Sequence, residues 1–364
     1  MKPFVPPPYP YDRLDELAAA AAQLPGGCID LSIGTPCDPP PAAVVEALAG
    51  SNAERGYPPS IGTVAFREAA AGWLERRLGV TVDAADEVAA CIGTKEFVAG
   101  IPQWLRLRTP DRDTVLYPAV SYPTYAMGAV LAGCRPVAYE SLDEINGDDA
   151  DRALCLWVNS PVNPSGDLTD LEAAARWGRA RRVPVLSDEC YVEFTWHGGP
   201  RTILEHGTSG VVAVHSLSKR SNLAGVRVGF YAGDGDLVGY LRELRKHAGF
   251  LVPGPVQAAA VVALADDVHV DEQRSRYFNR LERLRTILRA GLDLEVDLPA
   301  GAFYLWPAAP GGDAWGLAKR LATDAGTLIS PGGFYGPAGA DHVRIAAVQP
   351  DDRIDLMAQR LAVS

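Results

Sequence analysis

Between residues 113 and 232 the chain carries six short apolar runs, at 113–117, 135–139, 153–158, 183–186, 210–214 and 227–232. Amphipathic stretches such as 125–132 and 171–181 lie between them. Strands that alternate with helices become parallel neighbours, and the crossovers cover both faces of the sheet. The pattern therefore constrains the chain to an α/β architecture with a mostly parallel central sheet flanked by helices. At the start of 171–181, Thr169 and Glu172 have the spacing of a capping box. From Asp236 onward helical patterning dominates, and 271–290 has an acidic start, a basic end and Gly291 just beyond. After it, 301–306, a helix over 313–325, 343–348 and a last helix from Pro350 read as a smaller α/β lobe. Residues 4–11 hold too much proline for either regular element and read as an arm lying on a surface.

The 364 residues suffice for two domains, or one large and one small lobe. With 34 Lys and Arg against 45 Asp and Glu, the net charge of −11 excludes a nucleic-acid binder that works by bulk charge. An anionic ligand must then be held by a local cluster of donors. The longest strictly apolar stretches, such as 258–265, fall short of the ~20 residues of a membrane span. No apolar signal region follows the proline-rich 3–10, so a soluble, cytoplasmic chain is expected. The six cysteines form no CxxC pair and the six histidines no HExxH, so neither a disulfide framework nor a metal site is expected.

The most informative segment runs from Ser216 to Arg227, SLSKRSNLAGVR, directly after the apolar run 211–214. Lys219 thus sits just past the carboxyl end of a strand, the edge at which open α/β sheets bind ligands. Two hydroxyls, Ser216 and Ser218, and Arg227 eight residues after the lysine can hold a phosphate while Lys219 approaches another group. By itself SxSK is equally a solvated loop with an ordinary lysine. In PVLSDECY an apolar strand ends in Asp188, with Tyr191 three residues later. An acid there can face a cation or a protonated ring nitrogen; the alternative is a helix N-cap. Asn163, in NSPVNPSG, is placed either to donate to a ring oxygen or to make an Asx-type turn. Gly93-Thr94-Lys95-Glu96 opens a helix whose free N–H groups favour an anion. Tyr122, ahead of Pro123, can offer a flat face for stacking.

In this order and spacing, the motifs resemble the fold-type I, aspartate-aminotransferase-like family of pyridoxal-phosphate enzymes, from about Asp30 to the C-terminus. The resemblance implies an N-terminal arm at 1–28, a large cofactor-binding domain at 49–250 and a small domain from 29–48 and 251–364. It implies pyridoxal 5'-phosphate as cofactor, with Lys219 as the Schiff-base lysine and Asp188 on the pyridine nitrogen. Asn163 and Tyr191 would contact the phenolic oxygen, and Tyr122 would stack on the ring. Ser216, Ser218, Arg227 and the Thr94–Lys95 backbone would hold the phosphate. Tyr57, in Gly56-Tyr57-Pro58, would reach the phosphate of a neighbouring subunit, which implies a homodimer. Arg344 would take the substrate α-carboxylate, a role suited to a planar guanidinium, and Gly34 would line the substrate site.

Within the family, segments such as HSLSKRSNLAG and GAFYLW resemble succinyldiaminopimelate aminotransferases of lysine biosynthesis. The implied reaction exchanges an amino group between N-succinyl-LL-2,6-diaminopimelate and 2-oxoglutarate. A second cation for a remote carboxylate is then required, and Lys95, Arg220 and Lys246 are the candidates, each equally readable as a surface charge. Two departures, Val226 before Arg227 and the stretch Ala347-Val348-Gln349-Pro350 after Arg344, bear on the substrate. The alternative is a pyridoxal-phosphate enzyme of a specialised pathway that catalyses elimination, replacement or transamination of a different amino acid. A regulator built on this fold would need a DNA-binding domain, for which the residues ahead of position 30 leave no room.

Overall fold

The structure, a computed structural model, describes residues 3–363; Met1 and Lys2 of the expected arm, and Ser364, lie outside the described residues. The strands in chain order are β1 (Ile29–Asp30), β2 (Val88–Cys91), β3 (Thr114–Pro118), β4 (Arg135–Tyr139), β5 (Ala153–Asn159), β6 (Val185–Asp188) and β7 (Val211–Ser216). They continue with β8 (Gly229–Gly233), β9 (Tyr304–Leu305), β10 (Thr327–Leu328), β11 (Ser330–Pro331) and β12 (Val343–Ala346). Two compact units form. The larger comprises Thr35–Arg276 and Pro299–Ala302; the smaller takes the described residues up to Gly34, Tyr277–Leu298 and those from Phe303 onward.

In the larger unit seven strands form one sheet in the order β2-β8-β7-β6-β5-β3-β4. The run from β4 to β7 is parallel, whereas β8 is antiparallel to both β7 and β2. Helices Thr124–Leu131 and Leu171–Arg181 make the crossovers that parallel pairing requires. β5, β6 and β7 are buried along their whole length, which is why they read as unbroken apolar runs rather than as alternating ones. Their register sets Asn159 beside Asp188 and Asp188 beside Val214, so the carboxyl ends of three strands finish abreast. The edge strand β2, VAAC, is too short and too small-residued to stand out in the sequence.

Several boundaries differ from expectation for local reasons. Asp170, not Thr169, caps Leu171–Arg181, accepting from the Ala173 N–H at 2.9 Å. The Thr169 hydroxyl instead donates to the Asn159 carbonyl at 2.7 Å and ties the helix start to the end of β5. The long helix runs over Val268–Leu292 and includes Gly291, with Asp293 taking the left-handed conformation that ends it. Residues 35–48 and 251–276 group with the larger unit because helix Gly254–Ala265 packs on Ala42–Gly50 and Val64–Leu78.

In the smaller unit β12 pairs antiparallel with β11 and β9, β1 pairs parallel with β10, and helix Asp15–Ala21 packs on Ala314–Asp324. Of the residues expected to lack regular structure, 4–9 do. Pro10–Leu14 is a 3-10 helix with Pro10 in its first turn, where a fixed φ and a missing N–H cost nothing.

Candidate active site

The abreast ends of β5, β6 and β7 collect most of the residues singled out in the larger unit. Asp188 is buried, and its carboxylate accepts from the Tyr125 hydroxyl at 2.9 Å and from the Cys190 N–H at 3.3 Å. Burial pushes the Asp188 carboxyl above its ordinary range, and these hydrogen bonds pull it back only in part. Tyr125, itself buried, is held as a neutral phenol. It stacks on Trp157 with centroids 5.0 Å apart and meets Tyr122 edge-on at 6.1 Å. Asn159 fastens the neighbouring turn: its side-chain N–H donates to the Asp188 and Pro161 carbonyls, and its oxygen accepts from the Asn163 N–H at 2.7 Å. Asn163 and Tyr191 are both buried.

Ser216 ends β7 and caps the short helix Leu217–Arg220, its Oγ accepting from the Ser218 N–H at 3.1 Å. Lys219 lies half-buried in that helix. Helix Thr94–Arg108 begins after Gly93, whose φ is +73°. A Cβ on Gly93 would collide with the guanidinium of Arg227, so Arg227 lies against the start of this helix. Arg227 itself is left-handed at φ +61°, and its Nη1 donates to the Ala224 carbonyl at 2.7 Å. Cys190 closes the group, its Sγ 3.1 Å from the Thr94 hydroxyl. A helix start, a guanidinium and a capping hydroxyl form a cradle suited to a phosphate. A buried carboxylate whose donors Tyr125 and Cys190 are neutral suits a protonated ring nitrogen. The residues present therefore fit a pyridine phosphate.

Behind these strand ends the next residue in each points to the other face of the sheet. Glu189 and His215 meet there at 3.5 Å, both buried, with Trp73 edge-on to the histidine ring. Burial pushes the Glu189 carboxyl up to about 7 and the His215 imidazole down to about 3. Glu193 is a second buried centre: it accepts from Trp73 Nε1 at 2.7 Å, from Arg77 at 3.0 Å and from Arg220 at 3.4 Å. Arg220 also donates to the Ala263 carbonyl at 2.8 Å and is buried, so it serves the fold next to Lys219 rather than a distal substrate carboxylate. Lys246 is solvated beside Glu243, and Lys95 is exposed.

Gly34 and Arg344 belong to the smaller unit. Arg344, on β12, is buried; its Nη2 donates to the Ser32 carbonyl at 2.6 Å and to the Tyr11 hydroxyl at 3.2 Å. The guanidinium lies 4.2 Å from the Tyr304 ring centroid and 4.8 Å from that of Tyr335. A Cβ on Gly34 would strike the Tyr304 hydroxyl, so only glycine fits there. The sequence reading missed Tyr125, Asn159, Cys190 and the tyrosines around Arg344. Of these only Tyr125 carried a signal, its spacing of three from Tyr122. Tyr57 stands 97% exposed.

Residues 26–361 match the family described as Aminotransferase class I and II. The chain is 44% identical, over 98% of its length and 99% of the relative's, to the 4-dedimethylamino-4-oxo-anhydrotetracycline transaminase OxyQ of Streptomyces rimosus. It is 33% identical to an LL-diaminopimelate aminotransferase of Aquifex aeolicus, covering 98% and 96% of the two chains. A solved structure of a probable N-succinyldiaminopimelate aminotransferase from Thermus thermophilus superposes with a TM-score of 0.86 at 31% identity, over 96% and 98% of the chains. Relatives of similar length thus carry different substrates in their names, and the expected diaminopimelate sub-family is not singled out. The architecture is aspartate-aminotransferase-like. The chain belongs to the class I and II aminotransferases and is a pyridoxal-phosphate-dependent enzyme of that family.

Proposed function

We propose that the chain moves an amino group from an α-amino acid to the carbonyl of a specialised metabolite, rather than serving diaminopimelate synthesis. The observation that carries this reading is the 44% identity, along nearly the full length of both chains, to a transaminase named for an oxo-anhydrotetracycline. The apolar Ala347 and Val348, buried just after Arg344, are consistent with it: they add no hydroxyl or charge beside the carboxylate site.

The cofactor supplies an aldehyde that exchanges amines and a ring that accepts the electron pair released at the substrate Cα. Lys219 would hold the aldehyde end of the cofactor and, once freed by the substrate amine, its amine would move the proton at the substrate Cα. Asp188 would face the ring nitrogen and hold a proton there, since a cation opposite it would offset the burial that otherwise disfavours the carboxylate. Asn163 and Tyr191 would donate to the phenolic oxygen, and Tyr122 would cover the ring. Ser216, Ser218, Arg227 and the N–H groups of Thr94 and Lys95 would hold the phosphate. Arg344 grips the α-carboxylate and Gly34 lines the space beside it. The enzyme works as a homodimer in which Tyr57 completes the neighbouring subunit's phosphate site.

A half-reaction screen tests this. Holoenzyme is mixed with single α-amino acids and with N-succinyl-LL-2,6-diaminopimelate while the cofactor's absorbance is followed. The aminated cofactor is then challenged with 2-oxoglutarate and with a ring-fused ketone such as 2-tetralone. Rapid amination by one α-amino acid, with reoxidation by the cyclic ketone, is expected. Fastest reaction with succinyldiaminopimelate would overturn the substrate assignment, and steady ammonia release without an acceptor would point to elimination.

A further inference from the structure

The hydroxyl groups around Arg344 close a ring of hydrogen bonds. Arg344 Nη2 donates to the Ser32 carbonyl at 2.6 Å, and Ser330 Oγ donates to the same carbonyl at 2.8 Å. Ser330 is also hydrogen-bonded to Tyr335. The Tyr335 oxygen in turn lies 2.9 Å from the Tyr11 hydroxyl. The Tyr11 oxygen accepts the other Nη2 proton of Arg344 at 3.2 Å, and the circuit is complete. Every member but one comes from the strands of the smaller unit or the segments that flank them. The exception is Tyr11, in the arm.

The arm is seated by rings rather than by backbone pairing. Tyr11 meets Phe334 edge-on at 5.5 Å and Tyr9 at 5.5 Å, and the Arg13 guanidinium lies 4.7 Å over Trp315. These contacts hold the Tyr11 ring without its hydroxyl. The hydroxyl is thus a separable part, spent on one edge of one guanidinium. A guanidinium lying against aromatic rings still turns within its own plane, and holding both protons of Nη2 stops that turn. The orientation in which it meets a carboxylate is then fixed.

We propose that Tyr11 is a positioning residue for Arg344, so that the arm sets how tightly the enzyme holds an α-carboxylate. The inference rests on the reading that Arg344 binds that carboxylate. It makes the arm a specificity element: the chain recognises carboxylate-bearing amines through a residue 333 positions away from the arginine.

The test uses holoenzyme and the α-amino acid selected by the donor screen. Tyr11→Phe keeps the ring contacts and is expected to raise KM for that amino acid about tenfold, the loss typical of a hydrogen bond to a charged group, with kcat changed less than about twofold. The half-reaction with 1-phenylethylamine, an amine without a carboxylate, should show no such rise. Tyr335→Phe breaks the same ring, so the double variant should bind little worse than either single one. An unchanged KM in Tyr11→Phe, or an equal loss for 1-phenylethylamine, overturns the proposal. Arg344→Lys separates the two layers: if it raises KM and Tyr11→Phe does not, only this inference falls. If neither changes KM, the role given to Arg344 falls as well.

Discussion

Gly93 has no Cβ, and that missing carbon is where the Arg227 guanidinium lies. The residue carries two constraints that a substitution separates poorly alone, a left-handed φ of +73° and the close approach of Arg227. Gly79 supplies the comparison. It ends helix Val64–Leu78 at φ +69° with nothing near its missing Cβ. Both Gly→Ala changes carry a left-handed strain of about 1–2 kcal/mol, and only Gly93→Ala also displaces the arginine. Apo-enzyme titrated with pyridoxal phosphate should therefore show weaker binding in Gly93→Ala by about tenfold or more, the scale of one charge-assisted contact. Gly79→Ala should lose stability with unchanged binding. Equal affinities in the two variants would remove Arg227 from the phosphate site.

Among the elements, β5, β6 and β7 were legible because parallel strands buried on both faces leave continuous apolar runs, and all six expected strands begin within two residues of their observed starts. Strand ends were harder. The end of β6 could be read as far as Asp188, but the hydrogen bonds that define it come from Tyr125 and Asn159, which are distant in sequence and ordinary in type. The cap at Asp170 was misassigned because the hydroxyl of Thr169 was needed elsewhere, at the Asn159 carbonyl. Motif spacing found the residues aimed at one face; pairing across strands decided what supports them. Glu189 and His215 belong to that support, one residue beyond Asp188 and one before Ser216. His215 is depressed from 6.5 to about 3, so the unfolded chain binds the extra proton between those values and the histidine's stabilisation, full above 6.5, is lost as pH falls. Glu189 is raised from 4.5 to about 7, so there the folded chain holds the extra proton and stability is lost as pH rises through that window. Between about 4.5 and 6.5 the two slopes oppose each other, and the net slope from the pair is small. Urea unfolding of wild type and His215→Gln across about pH 3.5–7 checks this. The advantage of wild type over the variant should shrink steadily as pH drops below 6.5, and a difference independent of pH would exclude the neutral, buried imidazole.

At the scale of the whole molecule, a tyrosine ring 97% exposed does nothing for the packing of its own chain. Pro58 follows it and restricts its backbone to extended conformations, which suits a side chain held out toward another surface. If Tyr57 completes a neighbouring subunit's phosphate site, each site draws on two chains, and damage to the two can be complemented. A Lys219→Ala homodimer has no reacting amine in either site. A Tyr57→Phe homodimer keeps both amines but loses a phosphate donor at each, weakening cofactor binding by about tenfold. In the hybrid of the two, the subunit that retains Lys219 receives an intact Tyr57 from its partner, so one site of the two is whole. Tagged hybrids purified at limiting cofactor should recover about half the wild-type turnover per dimer, with cofactor affinity at the working site restored. If Tyr57 served its own chain instead, the chain that retains Lys219 would be the one carrying Tyr57→Phe, and the hybrid would keep the weak cofactor affinity of the Tyr57→Phe enzyme.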